Sequence, residues 1–204
     1  YREFFKKKKS ALIVMNFVNK YTIFGPNPYS YKSQLQYFEA TIKLIRKLKE
    51  KKYLVLIRQH PATSNLEKIL MEKYKYIFKN CIFVNKNILL TDLFGMSDVV
   101  FNTYPESAFA QTLYFKKFTI LASPLKLWSL RPEFLDLFKI MVEKGAFIDI
   151  SEDFEFDVKS FSDYKKIFED PSVKKCLKKI NSFLFSYNSR NKLLSSFILS
   201  SKDN

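Results

Sequence analysis

The chain has 204 residues, 47% of them hydrophobic, enough for one substantial core or one core carrying a helical appendage. Its 35 Lys and Arg against 20 Asp and Glu leave a net charge of +15. Three causes compete for that charge: an anionic partner, an anionic membrane face, or a lysine bias of the kind that goes with abundant Phe, Tyr, Ile and Asn.

Residues 1–10 are charged and aromatic and read as an incoming linker. Residues 11–17 (ALIVMNF) form a short continuous apolar run, which predicts a strand buried on both faces, as in a parallel sheet. Residues 18–30 hold Gly25, Pro26 and Pro28 and predict a loop. Over 31–51, Leu35, Phe38, Ile42, Ile45 and Leu48 recur at helical spacing with lysines between them, the pattern of an amphipathic helix. Residues 53–58 (YLVLIR) predict a second strand, closed by Pro61.

The unit then repeats. Ser64 or Asn65 can cap a helix over about 65–75. Strands are predicted at 81–84, 98–102 and 118–122, with helices over 88–96 and 106–115 between them. Residues 125–144 read as helical with a break at Pro132. Gly145 stops that helix, and 146–150 make a last short strand. Residues 151–158 are acidic and predict an exposed segment, and 160–200 read as helices only, with Pro171 at a helix start. Short apolar strands alternating with helices predict an α/β fold: a doubly wound parallel Rossmann-like sheet over 11–150, and a helical extension over 151–204.

In such a sheet ligands bind at the carboxyl ends of the strands. The first predicted strand reaches Asn16. The second ends in Arg58-Gln59-His60-Pro61. The fourth runs through Asn102-Thr103-Tyr104-Pro105-Glu106-Ser107 into a helix. His60, the single histidine, can donate to a phosphate oxygen beside Arg58, or it can be a loop histidine bonded to backbone. Backbone N–H groups at the helix start, with a hydroxyl from Thr103 or Ser107, can hold an anion; the alternative is an ordinary cap by Thr103 or Glu106. Trp128, Arg131 and Glu133 either line the same cleft or pack the final helices. Asp92 and Asp98 read as helix-end residues.

Several classes are argued against. There is no GxGxxG and no Walker loop, so classical dinucleotide and P-loop sites do not fit. No carboxylate pair is placed for glycoside hydrolysis. The basic residues are scattered and no nucleic-acid motif accompanies them, which weighs against specific nucleic-acid recognition. Cys81 and Cys176 lie far apart with no Cys/His cluster, so structural zinc is not expected and a reducing compartment is. No apolar run approaches the roughly 18 residues that span a bilayer. The chain opens on Tyr1 rather than Met, which reads as a piece of a longer protein.

The runs LVLIRQHP and IFVNKNILLTDLFGMSDVVFNTYPESAFAQTLYFKKFTIL resemble the C-terminal domain of GT-B glycosyltransferases. The style is that of bacterial surface-polysaccharide enzymes, namely the CDP-glycerol glycerophosphotransferase-like group and the sialyltransferases with a His-Pro motif. The shared features are a strand ending in His-Pro, a short helix, Ser-Asp before a strand, a Ser/Thr turn, a helix and an apolar strand. The likeness covers about residues 11–123. The later stretch LWSLRPEF…EKGAFIDIS is more loosely similar.

The resemblance implies a donor-binding half of a glycosyl- or glycerophosphotransferase that makes a cell-surface polysaccharide. It carries His60 over to the donor's phosphate and Ser107 to the phosphate at the helix start. Joined to the strand-end reading, this makes His60 and Arg58 the candidate catalytic residues and Asn16, Val84, Thr103, Glu106, Ser107 and Gln111 the candidate donor nucleotide or phosphate contacts. Phe83–Asn85 would offer backbone groups to the base. No cofactor or metal is expected. The partners would be a nucleotide-activated sugar or CDP-glycerol-type donor, a polysaccharide or lipid-linked acceptor, and an anionic membrane surface on the cytoplasmic side. The acceptor-binding domain would lie outside this chain. The sequence departs from the family pattern at Gln111, where many members carry Glu, and at Lys116 and Phe118, where Gly and Pro are usual. The rival readings are a non-catalytic Rossmann-like binding module and a basic nucleic-acid-binding α/β domain.

Overall fold

The computed structural model describes residues 9–15, 31–60, 65–85, 87–105, 107–124, 132–151 and 156–185. Its centre is a six-stranded sheet in the order β3-β2-β1-β4-β5-β6, with every pairing parallel. The strands are β1 (Ser10–Val14), β2 (Leu54–Arg58), β3 (Ile82–Phe83), β4 (Val99–Asn102), β5 (Thr119–Ser123) and β6 (Ile148–Asp149). Ala11 of β1 sits opposite Val55 on one side and Val99 on the other, which fixes the central register. This is the doubly wound α/β arrangement that the sequence pattern predicts.

The continuous apolar runs are explained by cover on both faces. Ile13, Val55, Phe101 and Ile120 pack under α1 (Tyr31–Glu50) through Phe38 and Ile45, and under α7 (Phe161–Glu169) through Tyr164. On the opposite face Leu12, Leu56 and Val100 meet Leu93 and Phe94 of the short α4 (Leu90–Phe94). Beside them Leu121 packs with Phe109 of α5 (Ser107–Tyr114), Phe138 of α6 (Pro132–Glu143) and Ile180 of α8 (Pro171–Phe185). Alternate residues of one strand therefore serve two cores.

Three helices stop in the same way. After α1, Lys52 (φ 62°) lets Tyr53 N–H reach Leu48 O and Lys52 N–H reach Lys49 O. After α5, Lys116 (φ 51°) does so for Lys117 N–H to Thr112 O and Lys116 N–H to Leu113 O. After α6, Gly145 (φ 71°) does so for Ala146 N–H to Met141 O and Gly145 N–H to Val142 O. Each is a Schellman closure, which places one residue in the left-handed region. In a chain with 3 glycines, lysine fills two of these positions.

The structure corrects some boundaries. The helix expected over 65–75 ends at Lys73 as α2 (Asn65–Lys73), and a separate turn, α3 (Lys75–Phe78), follows it. Within the expected exposed segment 151–158, Ser151, Phe156 and Val158 are buried. Phe156 lies beneath the ammonium groups of Lys43 and Lys47 of α1, with its ring centroid 5.4 and 5.7 Å away. Asp98 serves no helix end. Its carboxylate accepts from Ser10 N–H at 2.8 Å and Ser10 Oγ at 3.0 Å, tying the start of β4 to the start of β1.

Candidate functional site

The strand order reverses between β1 and β4. In a doubly wound sheet such a reversal marks a crevice at the carboxyl ends of the strands. That crevice is a cleft of about 310 Å³. Val14 and Met15 line it from β1, Arg58, Gln59 and His60 from the end of β2, and Asn102 and Tyr104 from β4 and the turn after it. Ser107, Ala108 and Gln111 line it from the first turns of α5, and Leu90 from α4.

Each wall is held from behind. Met15 N–H donates to Arg58 O at 2.9 Å, so the ends of β1 and β2 stay paired to the rim. Gln59 Nε2 donates to Glu67 Oε1 of α2 at 2.9 Å, and that carboxylate is wholly buried. Arg58 is half-buried at the rim, and loss of water lowers its pKa from the ordinary guanidinium value; it stays a cation at neutral pH. Phe109 and Leu113 anchor α5 in the core, which fixes the direction of its first turn. The N–H groups of that turn have no partner inside the helix, and the helix dipole adds partial positive charge there. Among the described lining residues there is a guanidinium and an imidazole and no carboxylate.

Beneath the cleft lies a buried polar cluster. Asn102 Nδ2 donates to Thr119 Oγ1 at 2.8 Å and to Thr112 Oγ1 at 3.1 Å. Thr112 Oγ1 donates to Phe109 O at 2.7 Å, and Thr119 Oγ1 lies 3.3 Å from Val100 O. Asn102 is 1% exposed, and its Oδ1 is buried with no hydrogen-bond partner.

The structure brings Arg58, His60, Ser107 and Gln111 together around one cleft, with Ser107 and Gln111 exposed. Thr103 does not line it. Its hydroxyl donates to Val14 O at 2.8 Å and pairs with the Tyr37 hydroxyl of α1, so it fastens β4 to β1 in place of the expected phosphate contact. Val84 is also absent from the lining, and its N–H donates to Ile57 O at 2.9 Å, so that group is taken by the sheet before any base could use it. Asn16, Glu106, Trp128 and Arg131 lie outside the described residues; Glu133 is exposed in the first turn of α6.

The residues that sequence reasoning passed over are Asn102, Tyr104 and Gln59. Asn102 had a signal: VVFN ends a fully buried strand in an amide, and a buried polar group at a strand's ligand-binding end demands a partner.

Among the described residues no group of three or more His, Cys, Asp or Glu side chains is placed to hold a metal ion, and no helix is long and apolar enough to cross a membrane. The chain matches no protein-family model, no curated protein and no solved structure.

Proposed function

We propose that this chain binds the phosphate and nucleoside of an activated donor and serves as the donor half of a glycosyl- or glycerophosphotransferase of cell-surface polysaccharide synthesis. The observation that carries the reading is the cleft at the strand-order reversal, where Arg58, His60 and the start of α5 converge with no described carboxylate. Such a site favours an anion through charge-assisted hydrogen bonds and helix-start N–H groups. The sequence resemblance adds the reaction class.

Both versions of the chemistry ask the same of this cleft. The bond from the transferred group to the donor's phosphate oxygen breaks, and that oxygen takes the electron pair. An acceptor hydroxyl forms the new bond and gives its proton to a base outside this chain. Donors placed at the departing phosphate stabilise the charge as it develops. Arg58 and His60 are in position to supply that stabilisation from the β2 side and α5 from the other.

Calorimetric titration of the full-length protein with CMP, CDP and UDP tests the reading. Binding of one of them at micromolar to low millimolar levels is expected, weakened by Arg58→Ala. No binding of any of the three would overturn it.

The charge and the acceptor class together support a peripheral association with anionic membranes at the cytoplasmic face. Sedimentation with vesicles of anionic or neutral lipid is the measurement. Preferential recovery with the anionic vesicles is expected, and equal recovery with both would leave compositional bias as the source of the +15.

A further inference from the structure

The Asn102 cluster has a direction built into it. Each threonine hydroxyl carries one proton. Thr112 directs its own to Phe109 O, and Thr119 has Val100 O within reach. A hydroxyl that donates elsewhere can only accept from the amide, so both threonines select the NH₂ end of Asn102. The two contacts at 2.8 and 3.1 Å use both amide protons. What remains is the oxygen, buried without a hydrogen-bond partner on a residue that lines the cleft.

A buried acceptor left open is unfavourable, because it has given up its water and gained no partner. Such a group at the ligand-binding end of a strand is satisfied most directly by the ligand. The residue is pinned: β4 fixes its backbone, and α5 and β5 each supply one threonine.

We infer that Asn102 is a specificity-determining residue of this cleft, its Oδ1 accepting a hydrogen bond from a hydroxyl of a phosphate ester whose phosphate lies toward Arg58, His60 and Ser107. The inference rests on the donor-binding reading above and adds to it a requirement that an anion alone does not meet. The hydroxyl comes from one of two sources, the ribose of the nucleotide or the transferred polyol or sugar.

Two matched ligand pairs separate these sources: CMP against 2′,3′-dideoxy-CMP, and glycerol 3-phosphate against propyl phosphate. Affinities are measured on the full-length protein and on Asn102→Leu, which keeps the approximate volume and removes the acceptor. The wild type is expected to prefer the hydroxylated member of one pair by about tenfold, the loss of one hydrogen bond. In Asn102→Leu that preference vanishes while affinity for the member without hydroxyls is unchanged. The pair that responds identifies the source. Thr119→Val is the second variant, should Asn102→Leu fail to melt cooperatively. It removes one of the two groups that orient the amide and is expected to cut the preference about threefold.

A preference that persists in the variants, or none in the wild type for either pair, overturns the role of Asn102 and leaves the donor-binding reading standing. Failure of the wild-type protein to bind any of the four ligands overturns both.

Discussion

The two ends of the parallel sheet are built on opposite rules. At the amino ends polar groups close on one another. Asp98 accepts two hydrogen bonds from Ser10 and a third from Lys9 at 3.3 Å, and Asp98 N–H returns one to Ser10 Oγ at 3.0 Å. Nearby Lys117 extends its ammonium to the carbonyls of Phe94 and Ser97 at the end of α4. At the carboxyl ends the same kinds of group line an open cleft, and the amide oxygen of Asn102 has no partner. A fold can satisfy its polar groups, as the first edge demonstrates. Where it leaves one amide oxygen without a partner on a residue that lines a concavity, that partner is to be sought in a ligand.

The sharpest way to break this contrast is His60→Ala in the full-length protein. If the carboxyl edge is the reacting edge, turnover falls about 100- to 1000-fold, the usual effect of removing one preorganised donor, roughly 2.7–4 kcal/mol. The melting temperature stays close to wild type. Near-normal turnover with a lowered melting temperature would return His60 to a structural role.

Asp98→Ala is the converse at the other edge. It strips the buried Ser10 N–H of its acceptor and leaves the hydroxyl only Met96 O at 3.3 Å, and stability is expected to drop by about 1–3 kcal/mol in chemical denaturation. Nucleotide affinity should not move. The pH dependence has a definite sign. Burial works to raise the Asp98 pKa, but the two Ser10 bonds and Lys9 outweigh it and hold it below the ordinary carboxylate value. Its contribution is therefore complete above the unfolded-state value of about 3.9 and is lost as pH falls through the lower folded value. Denaturation curves of wild type and variant should converge in acid; a constant gap down to the lowest pH would show that Asp98 is not the titrating group.

Ser107→Ala probes the cleft more gently. The N–H groups at the start of α5 survive the change, so the loss is that of one neutral hydrogen bond, about 1 kcal/mol or fivefold in affinity for CDP or UDP. A loss as large as that of His60→Ala would mean that the hydroxyl, rather than the helix start, carries the anion.

What was legible follows from the forces involved. Burial on both faces wrote β1, β2, β4 and β5 as apolar runs, so their presence and order were readable, and the order placed Arg58, His60, Ser107 and Gln111 at one edge. Two things were not. Side-chain direction at the end of β4 decides that Asn102 serves the cleft while Thr103 turns to Val14 and Tyr37; a residue list holds both and does not say which faces where. The segment before α7 was misread because its acidic residues dominate the composition. Phe156 and Val158 are two apart, the strand-like period that buries one side of an extended chain even when its neighbours are charged.

The smallest expected effect tests whether the amino edge is only scaffold. Lys116 sits at φ 51°, where a Cβ is strained and glycine is at ease. The family resembled in sequence usually has glycine at this place, and the same chain uses Gly145 in the equivalent closure after α6. Lys116→Gly therefore relieves left-handed strain, about 1–2 kcal/mol, but loosens the unfolded chain, an opposing effect of about 0.4–1 kcal/mol. Lys116 is exposed, with its hydrogen bond to Leu113 O made by the backbone, so glycine keeps the closure intact. The net expectation is a gain of a few tenths to about 1 kcal/mol in stability, with no change in turnover or nucleotide affinity. A cooperative melt shifted upward by a few degrees is the readout. An unchanged melting temperature would mean that Lys116 earns its position by an interaction with solvent or membrane rather than by tolerance of strain, and repeating the melt with anionic vesicles would then separate the two.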